Sequence, residues 1–134
     1  MGGLPMIDHV SVAVRDLGKA QAFYSAVLAP LGFAELREWP DAAVGFGKKH
    51  PEFWLNKRSA MKEVAPDSGV HICLRALNSA AVDAFHAAAL IAGGTSDGAA
   101  GLRPHYYSGY YAAFIRDPDG NRIEAVTFAR EGAE

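Results

Sequence analysis

The sequence predicts an α+β fold built from two tandem βαβββ modules. The main observation is an internal repeat, because segment 7–32 aligns on segment 69–94 without a gap. A second observation is that each copy changes from strand-like to helix-like hydrophobic spacing at the same point. A third is that 134 residues suffice for one compact domain but not for two, so both modules must share a core. The alignment pairs His9 with His71, Asp16 with Asn78, Phe23 with Phe85, Leu28 with Leu90, and Gly32 with Gly94.

Module one is predicted over residues 6–56. Residues 7–14 alternate valines with smaller or polar residues, which predicts a strand in which His9 points away from the valines. Asp16 is a suitable N-cap for the amphipathic helix that follows, and this helix is expected to end near Gly32. Three short strands are then predicted at 35–39, 43–47 and 53–56, with turns at 40–41 and 48–51.

Module two is predicted over residues 69–128, after a polar linker at 57–68. Residues 70–76 predict its first strand, and Asn78 is expected to cap an alanine-rich helix. The glycine-rich segment 96–108 predicts a mobile or ligand-facing loop rather than a regular element. The last two strands are predicted at 110–116 and 122–128, joined by a turn at 117–121.

The composition excludes several classes of function. A net charge of −2, from 13 basic and 15 acidic residues, gives no field that would favour nucleic acid or an anionic membrane. No segment has the pattern of a signal peptide or the roughly 18 apolar residues of a membrane span. Cys73 is the single cysteine and is expected to be a buried, reduced thiol. These features predict a cytoplasmic protein.

Three residues form a candidate metal site: His9, His71 and Glu124. The two histidines occupy equivalent repeat positions, and packing of two similar modules would bring both imidazoles to one centre. Glu124 is the acidic residue of an apolar run, so its charge needs a partner if it points inward. Two imidazoles and one carboxylate leave coordination positions open on iron, zinc, manganese or nickel. The alternative is that the histidines are ordinary hydrogen-bonded residues and that Glu124 faces solvent.

At these residues the chain resembles the vicinal oxygen chelate superfamily, which includes glyoxalase I, bleomycin-resistance proteins and extradiol dioxygenases. The resemblance implies that curved strands form a cup around a divalent metal, with His9, His71 and Glu124 at ligand positions. It also implies a small-molecule substrate and frequent homodimers. The segments that carry it are Ile7-Asp8-His9-Val10, Phe23-Tyr24, Gly32-Phe33, Val70-His71-Ile72 and residues 117–124.

The chain departs from the superfamily in two ways. Glyoxalase-like relatives use a fourth protein ligand, but the equivalent position here is Asn56 or Trp54, and Glu52 fits only with a shift. Extradiol dioxygenases have a tyrosine three residues before the Asp-Pro, where this chain has Phe114. Phenylalanine has no hydroxyl to donate or transfer a proton. A three-ligand site is therefore expected, and neither glyoxalase I nor ring-cleavage chemistry is favoured.

Other residues are candidates for catalysis and substrate binding. The acid-base candidates are His105 and Tyr107, with Tyr110 and Tyr111, of which strand alternation allows only one to face the cup. His105 is equally well explained as an exposed loop residue. A planar or apolar substrate would contact the aromatic residues, unless these belong to the core: Trp39, Phe46, Trp54, Tyr107 and Phe114. Four cations could hold an anionic tail, with solvated surface charges as the alternative: Arg37, Lys48, Lys49 and Arg103.

The sequence thus predicts a metal-dependent enzyme that chelates neighbouring oxygens of a small substrate, with lyase, isomerase or dioxygenase chemistry. The alternative is a metal-free, dimeric binding protein of the bleomycin-resistance type. A third possibility is a structural or interaction module with neither metal nor cavity.

Overall fold

The computed structural model describes residues 3–128, in which both predicted modules have the same order of elements. Module one contains β1 (Val10–Val14), α1 (Leu17–Leu28), a short 3-10 helix (Ala29–Leu31), β2 (Ala34–Trp39), β3 (Ala43–Gly47) and β4 (Pro51–Lys57). Module two contains β5 (Ile72–Arg75), α2 (Ser79–Ile91), β6 (Thr95–Leu102), β7 (Tyr110–Arg116) and β8 (Arg122–Phe128).

Each module folds its four strands into one mixed sheet. The strand orders are β1-β4-β3-β2 and β5-β8-β7-β6, so both sheets have the same topology. In each sheet the first and last strands of the module are parallel neighbours, and the other pairs are antiparallel. This repeated topology confirms the α+β fold of two βαβββ modules.

Both helices begin at the caps that the sequence predicts. Asp16 Oδ1 accepts from the Lys19 amide at 3.0 Å, and Asn78 Oδ1 accepts from the Ala81 amide at 2.9 Å. These bonds satisfy amide groups that have no partner inside the helix. Within residues 3–128, neither helix is long and apolar enough to span a membrane.

The helices cover one face of each sheet, and α1 packs against α2, so the two modules share one core. Gly94 marks a close approach between the modules. A Cβ at this position would lie 2.9 Å from the Phe23 ring of α1 and 2.7 Å from the Arg116 carbonyl oxygen. The fully buried residues of the core include Val14, Tyr24, Val27, Phe46 and Leu55 of module one and Val82, Phe85, Ile115 and Ala125 of module two.

A buried polar cluster also joins the modules. The Asp117 carboxylate, whose residue is 4% exposed, accepts from the Tyr24 hydroxyl at 2.6 Å and from the amides of Asp119 and Asn121. Asn121 also donates from its side chain to the Ala13 carbonyl at 2.9 Å. The pKa of Asp117 is raised, first by burial, while the bonds from Tyr24 and Asn121 oppose this rise. The segment predicted as a turn at 117–121 is therefore also a contact between modules.

Two expectations about the strands need correction. Residues 96–102 are not a loop but belong to β6, because backbone pairing with β7 forms despite the glycines. His9 and His71 lie just before β1 and β5 rather than inside strands. Of the two alternatives for Phe46, the structure shows the core, because this residue has 0% exposure.

Candidate metal site

A histidine–carboxylate pair lies on the face of the second sheet that the helices leave open. His71 precedes β5 and Glu124 lies on β8, the parallel neighbour of β5. The Nε2 atom of His71 is 3.0 Å from Oε1 of Glu124. The Glu124 side chain is 3% exposed, whereas that of His71 is 50% exposed. The pair therefore combines a buried carboxylate with an imidazole that solvent and small molecules can reach.

Tyr110 contacts the other oxygen of the same carboxylate. Its hydroxyl donates to Oε2 of Glu124. Burial, followed by this hydrogen bond, raises the pKa of the Tyr110 phenol above its ordinary value. Tyr111 points to the other face of β7 and donates to Asp83 of α2 at 2.5 Å. As strand alternation predicted, only one of the two tyrosines faces the candidate site.

Cys73 is not the buried thiol that the sequence predicted. The residue is exposed, and the register of β5 with β8 places it opposite Glu124 on the open face. Partial burial of its side chain and then the Glu124 charge raise the pKa of the thiol to about 12. Cys73 is therefore protonated at neutral pH and is a poor nucleophile.

Phe114 and Arg103 form a second contact surface near the pair. Phe114 is the cross-strand neighbour of Glu124, and it lines the same pocket as His71. The Arg103 guanidinium lies 5.4 Å from the Phe114 ring centroid. It also donates to the carbonyls of Gly101 at 2.9 Å and Ala99 at 2.6 Å. These bonds hold a positive charge over an apolar ring beside the site.

His9 lies in a different pocket, on the open face of the first sheet. Its Nδ1 atom is 2.8 Å from Oδ1 of Asp8, and His50 Nε2 is 4.0 Å from the other Asp8 oxygen. Trp39 and Trp54 line this pocket. Sequence reasoning missed His50, for which no repeat partner or motif gave a signal, and missed that Asp8 would orient His9.

The structure places the fourth-ligand candidates apart. Trp54 and Asn56 lie beside His9, and neither supplies a carboxylate. Glu52 lines a separate groove with Phe33. The structure thus offers no substitute for the fourth ligand at these three positions.

His105 and Tyr107 lie in the exposed segment between β6 and β7. The His105 ring is tilted against the Tyr106 ring with centroids 4.4 Å apart, and the Tyr107 ring lies 6.1 Å from the Tyr110 ring. Within residues 3–128, no hydrogen bond or ion pair joins either residue to His71 or Glu124. Tyr107 is therefore linked to the site by its ring contact with Tyr110. The ring contact of His105 is with Tyr106.

The three predicted ligands do not meet inside one chain. In the described part of the chain, no three side chains of His, Cys, Asp or Glu lie close enough to hold an ion. The pocket of His9 and the pocket of His71 share no lining residue. The repeat correctly indicated that His9 and His71 occupy equivalent positions in the two modules. It did not indicate that the packing of the helices leaves these two histidines in different pockets.

The donor chemistry of the His71–Glu124 pair nevertheless fits a divalent metal. The distance between His71 Nε2 and Glu124 Oε1 is 3.0 Å, so the two groups lie side by side. An imidazole and a carboxylate suit the same divalent ions, and these two residues would hold such an ion.

Comparison with known proteins identifies the family. The model of the Glyoxalase/Bleomycin resistance protein/Dioxygenase superfamily matches residues 6–125, and the chain belongs to this superfamily. No curated protein sequence matches the chain.

Solved structures share the fold over nearly the whole chain. A glyoxalase/bleomycin resistance protein from Albidiferax ferrireducens T118 has 29% identity and a TM-score of 0.77, with 91% of this chain and 98% of that chain covered. The fosfomycin resistance protein FosX from Listeria monocytogenes has 18% identity and a TM-score of 0.66, with 98% and 97% covered. A glyoxalase-related enzyme from Fulvimarina pelagi has 16% identity and a TM-score of 0.69, with 92% and 88% covered.

Proposed function

We propose that this protein is a metal-dependent enzyme of the superfamily that acts on a small substrate with neighbouring oxygen atoms. The observation that carries the proposal is the contact between the buried Glu124 carboxylate and the exposed His71 imidazole on an open sheet face. A bound divalent ion supplies a Lewis acid that stabilises negative charge on a substrate oxygen. Iron, zinc, manganese and nickel all suit this donor set.

We infer that the third ligand is His9 of the partner subunit in a homodimer. Each chain carries both halves of the site on separate open faces. A twofold axis that brings one His9 to the partner's His71 and Glu124 does the same for the second site. Large apolar side chains near these faces support an interface, since Trp39 is 53% exposed and Val70 is 70% exposed.

The remaining residues would bind and orient the substrate. Arg103 holds a cation over the Phe114 ring for an anionic group, and Phe114 supplies an apolar surface in the pocket of His71. Trp39 and Trp54 would contribute aromatic walls from the partner subunit. Tyr110 holds the Glu124 carboxylate in one orientation and is the acid-base candidate that contacts the pair directly. The Tyr107 ring lies against Tyr110, with centroids 6.1 Å apart. Lyase, isomerase and dioxygenase reactions all remain compatible with this set.

Metal content tests the proposal. Protein purified without a metal-affinity tag is analysed by inductively coupled plasma mass spectrometry beside His71→Ala and His86→Ala. His86 is a matched control, because its ring is also exposed and hydrogen-bonded, to Ser96 at 2.8 Å. We expect near-stoichiometric metal in the wild type and in His86→Ala, and its loss in His71→Ala. Absence of metal from all three, with no rise in melting temperature on addition of divalent ions, would overturn the proposal.

A metal-free binding protein of the bleomycin-resistance type is the second candidate. One observation favours it: within the described residues, no buried side-chain nitrogen or oxygen lacks a hydrogen-bond partner. Glu124 is already satisfied by His71 and Tyr110 without an ion. This candidate predicts that a bound ligand is retained unchanged in the presence of a chelator, whereas the enzyme loses activity.

A further inference from the structure

A groove between the two modules is separate from the candidate metal site. Its volume is about 540 Å³, within the range of small-molecule pockets. Module one contributes Phe33, Lys48 and Glu52 to its walls, and module two contributes Arg75, Leu77 and Phe128. No residue of this groove lines the pocket of His71 or the pocket of His9.

Two cations from different modules face this groove, and each rests on an aromatic ring. Lys48 Nζ lies 5.5 Å from the Phe33 ring centroid, and Arg75 Cζ lies 5.3 Å from the Phe128 ring centroid. Attraction between a cation and the ring face restrains each side chain without using its hydrogen-bond donors. The groove thus contains charges that are positioned before any ligand binds.

Neither cation is neutralised by a carboxylate in the described part of the chain. No ion pair within residues 3–128 includes Lys48 or Arg75. Glu52 lines the same groove, so the three ionised side chains leave a net charge of about +1 at neutral pH. A singly charged carboxylate balances this charge, whereas a doubly charged phosphate exceeds it.

The uncharged lining of the groove is apolar apart from Thr127, and part of it is accessible. Leu77 is 90% exposed and Phe128 is 37% exposed. Exposed apolar side chains beside two positioned cations match a molecule that has one charged end and one apolar body.

We propose that this groove binds a small organic monocarboxylate. Lys48 and Arg75 donate to its carboxylate from opposite modules, and its aromatic or aliphatic body packs on Phe33, Leu77 and Phe128. Because the contacts come from both modules, occupancy also links the modules through residues that are not part of the Tyr24–Asp117 cluster. The site does not require a metal, although Phe128 in its wall also contacts Tyr110, with ring centroids 5.3 Å apart.

Binding of 2-naphthoate tests the proposal, because this probe has one carboxylate on a planar apolar body. Isothermal titration at constant ionic strength, with and without chelator, compares the wild type with Lys48→Gln and Arg75→Gln. Lys49→Gln and Arg58→Gln are matched controls, since both residues are exposed and neither lines the groove. We expect each groove variant to weaken binding about tenfold. The two controls and the chelator should leave the dissociation constant unchanged.

A neutral analogue separates the charge from the apolar surface. 2-Naphthamide should bind at least about tenfold more weakly than 2-naphthoate. The proposal is overturned if 2-naphthoate shows no saturable binding at millimolar concentration, or if the amide binds equally well. It is also overturned if Lys49→Gln and Arg58→Gln weaken binding as much as the groove variants do. Unchanged melting temperatures of the four variants would show that each is folded.

Discussion

Glu124 illustrates how one buried charge determines the arrangement of its neighbours. A carboxylate that is 3% exposed must have partners, because an unpaired buried charge costs several kcal/mol. His71 contacts one of its oxygens and Tyr110 donates to the other. In the proposed metal site, the oxygen nearer His71 would be the ligand, because the Tyr110 hydroxyl holds the other oxygen.

Tyr110→Phe should consequently weaken metal binding without unfolding the protein. Loss of a hydrogen bond to a ligating carboxylate typically lowers metal affinity about ten- to a hundredfold. Competition with a zinc chelator measures the affinity. Tyr107→Phe is the matched control, because its ring lies beside Tyr110 without a bond to Glu124. Equal affinities in both variants would show that Tyr110 does not position the carboxylate.

Asp117 should give the protein a specific pH dependence of stability. Its pKa in the folded state is raised above 3.8, mainly by burial, so the folded state binds this proton more tightly than the unfolded state. The contribution to the free energy of unfolding is therefore full below pH 3.8 and is lost as pH rises through the raised pKa.

Urea unfolding of the wild type and Asp117→Asn across this range measures the effect. The stability of the wild type minus that of the variant should decrease as pH rises. The exposed carboxylate of Asp67 supplies the control, and Asp67→Asn should show no comparable trend. A difference that instead grows with pH would mean that the bonds from Tyr24 and Asn121 outweigh burial.

At the scale of elements, Gly45 of β3 permits the indole of Trp54 to lie across the first sheet. A Cβ at this position would be 2.8 Å from Pro51 Cβ and 3.0 Å from two ring atoms of Trp54. Gly45→Ala should therefore displace Trp54 and lower the free energy of unfolding by about 1–3 kcal/mol. Denaturant unfolding and near-ultraviolet circular dichroism measure the two effects. Gly69→Ala should be nearly neutral, because no atom lies within 4 Å of its added Cβ.

The sequence predicted the elements whose signals are local. Both helix caps and the two-module order follow from short-range spacing, and both were confirmed. The repeat predicted a strand before β7, but β6 was not placed at its residues, because its glycines resemble a loop although they serve close packing. At Gly98, an added Cβ would lie 2.9 Å from the Phe114 ring. In a strand, glycine often marks such an approach by a neighbour, and one sequence cannot distinguish this from a turn.

At the scale of the whole molecule, the repeat did not reveal how the modules are oriented. Their arrangement depends on long-range contacts: α1 against α2, Phe23 against Gly94, and Tyr24 with Asp117. These contacts bury the helix-facing sides of both sheets and leave the two histidine pockets apart. The same packing that completes the core thus leaves each half of the candidate site without the other half inside one chain.

Mixed dimers can show whether a second chain completes the site. His9→Ala lacks one half of the site, and Glu124→Ala lacks the other. If the ligands come from two chains, a dimer of these variants has one intact site and one site without either group. Differently tagged chains, co-expressed and purified through both tags with the tags then removed, should contain about half of the wild-type metal per dimer. Each variant alone should contain almost none.

The matched control pairs His71→Ala with Glu124→Ala, two changes in the same half of the site. Every site in that mixed dimer is defective, so metal should be absent even though the dimer forms. Mass spectrometry of intact complexes would give the subunit composition and the number of ions together. Metal in the control mixture, or none in the His9→Ala and Glu124→Ala mixture, would rule out a site shared between chains. Recovery confined to the complementary mixture would place His9 on one chain and the His71–Glu124 pair on the other.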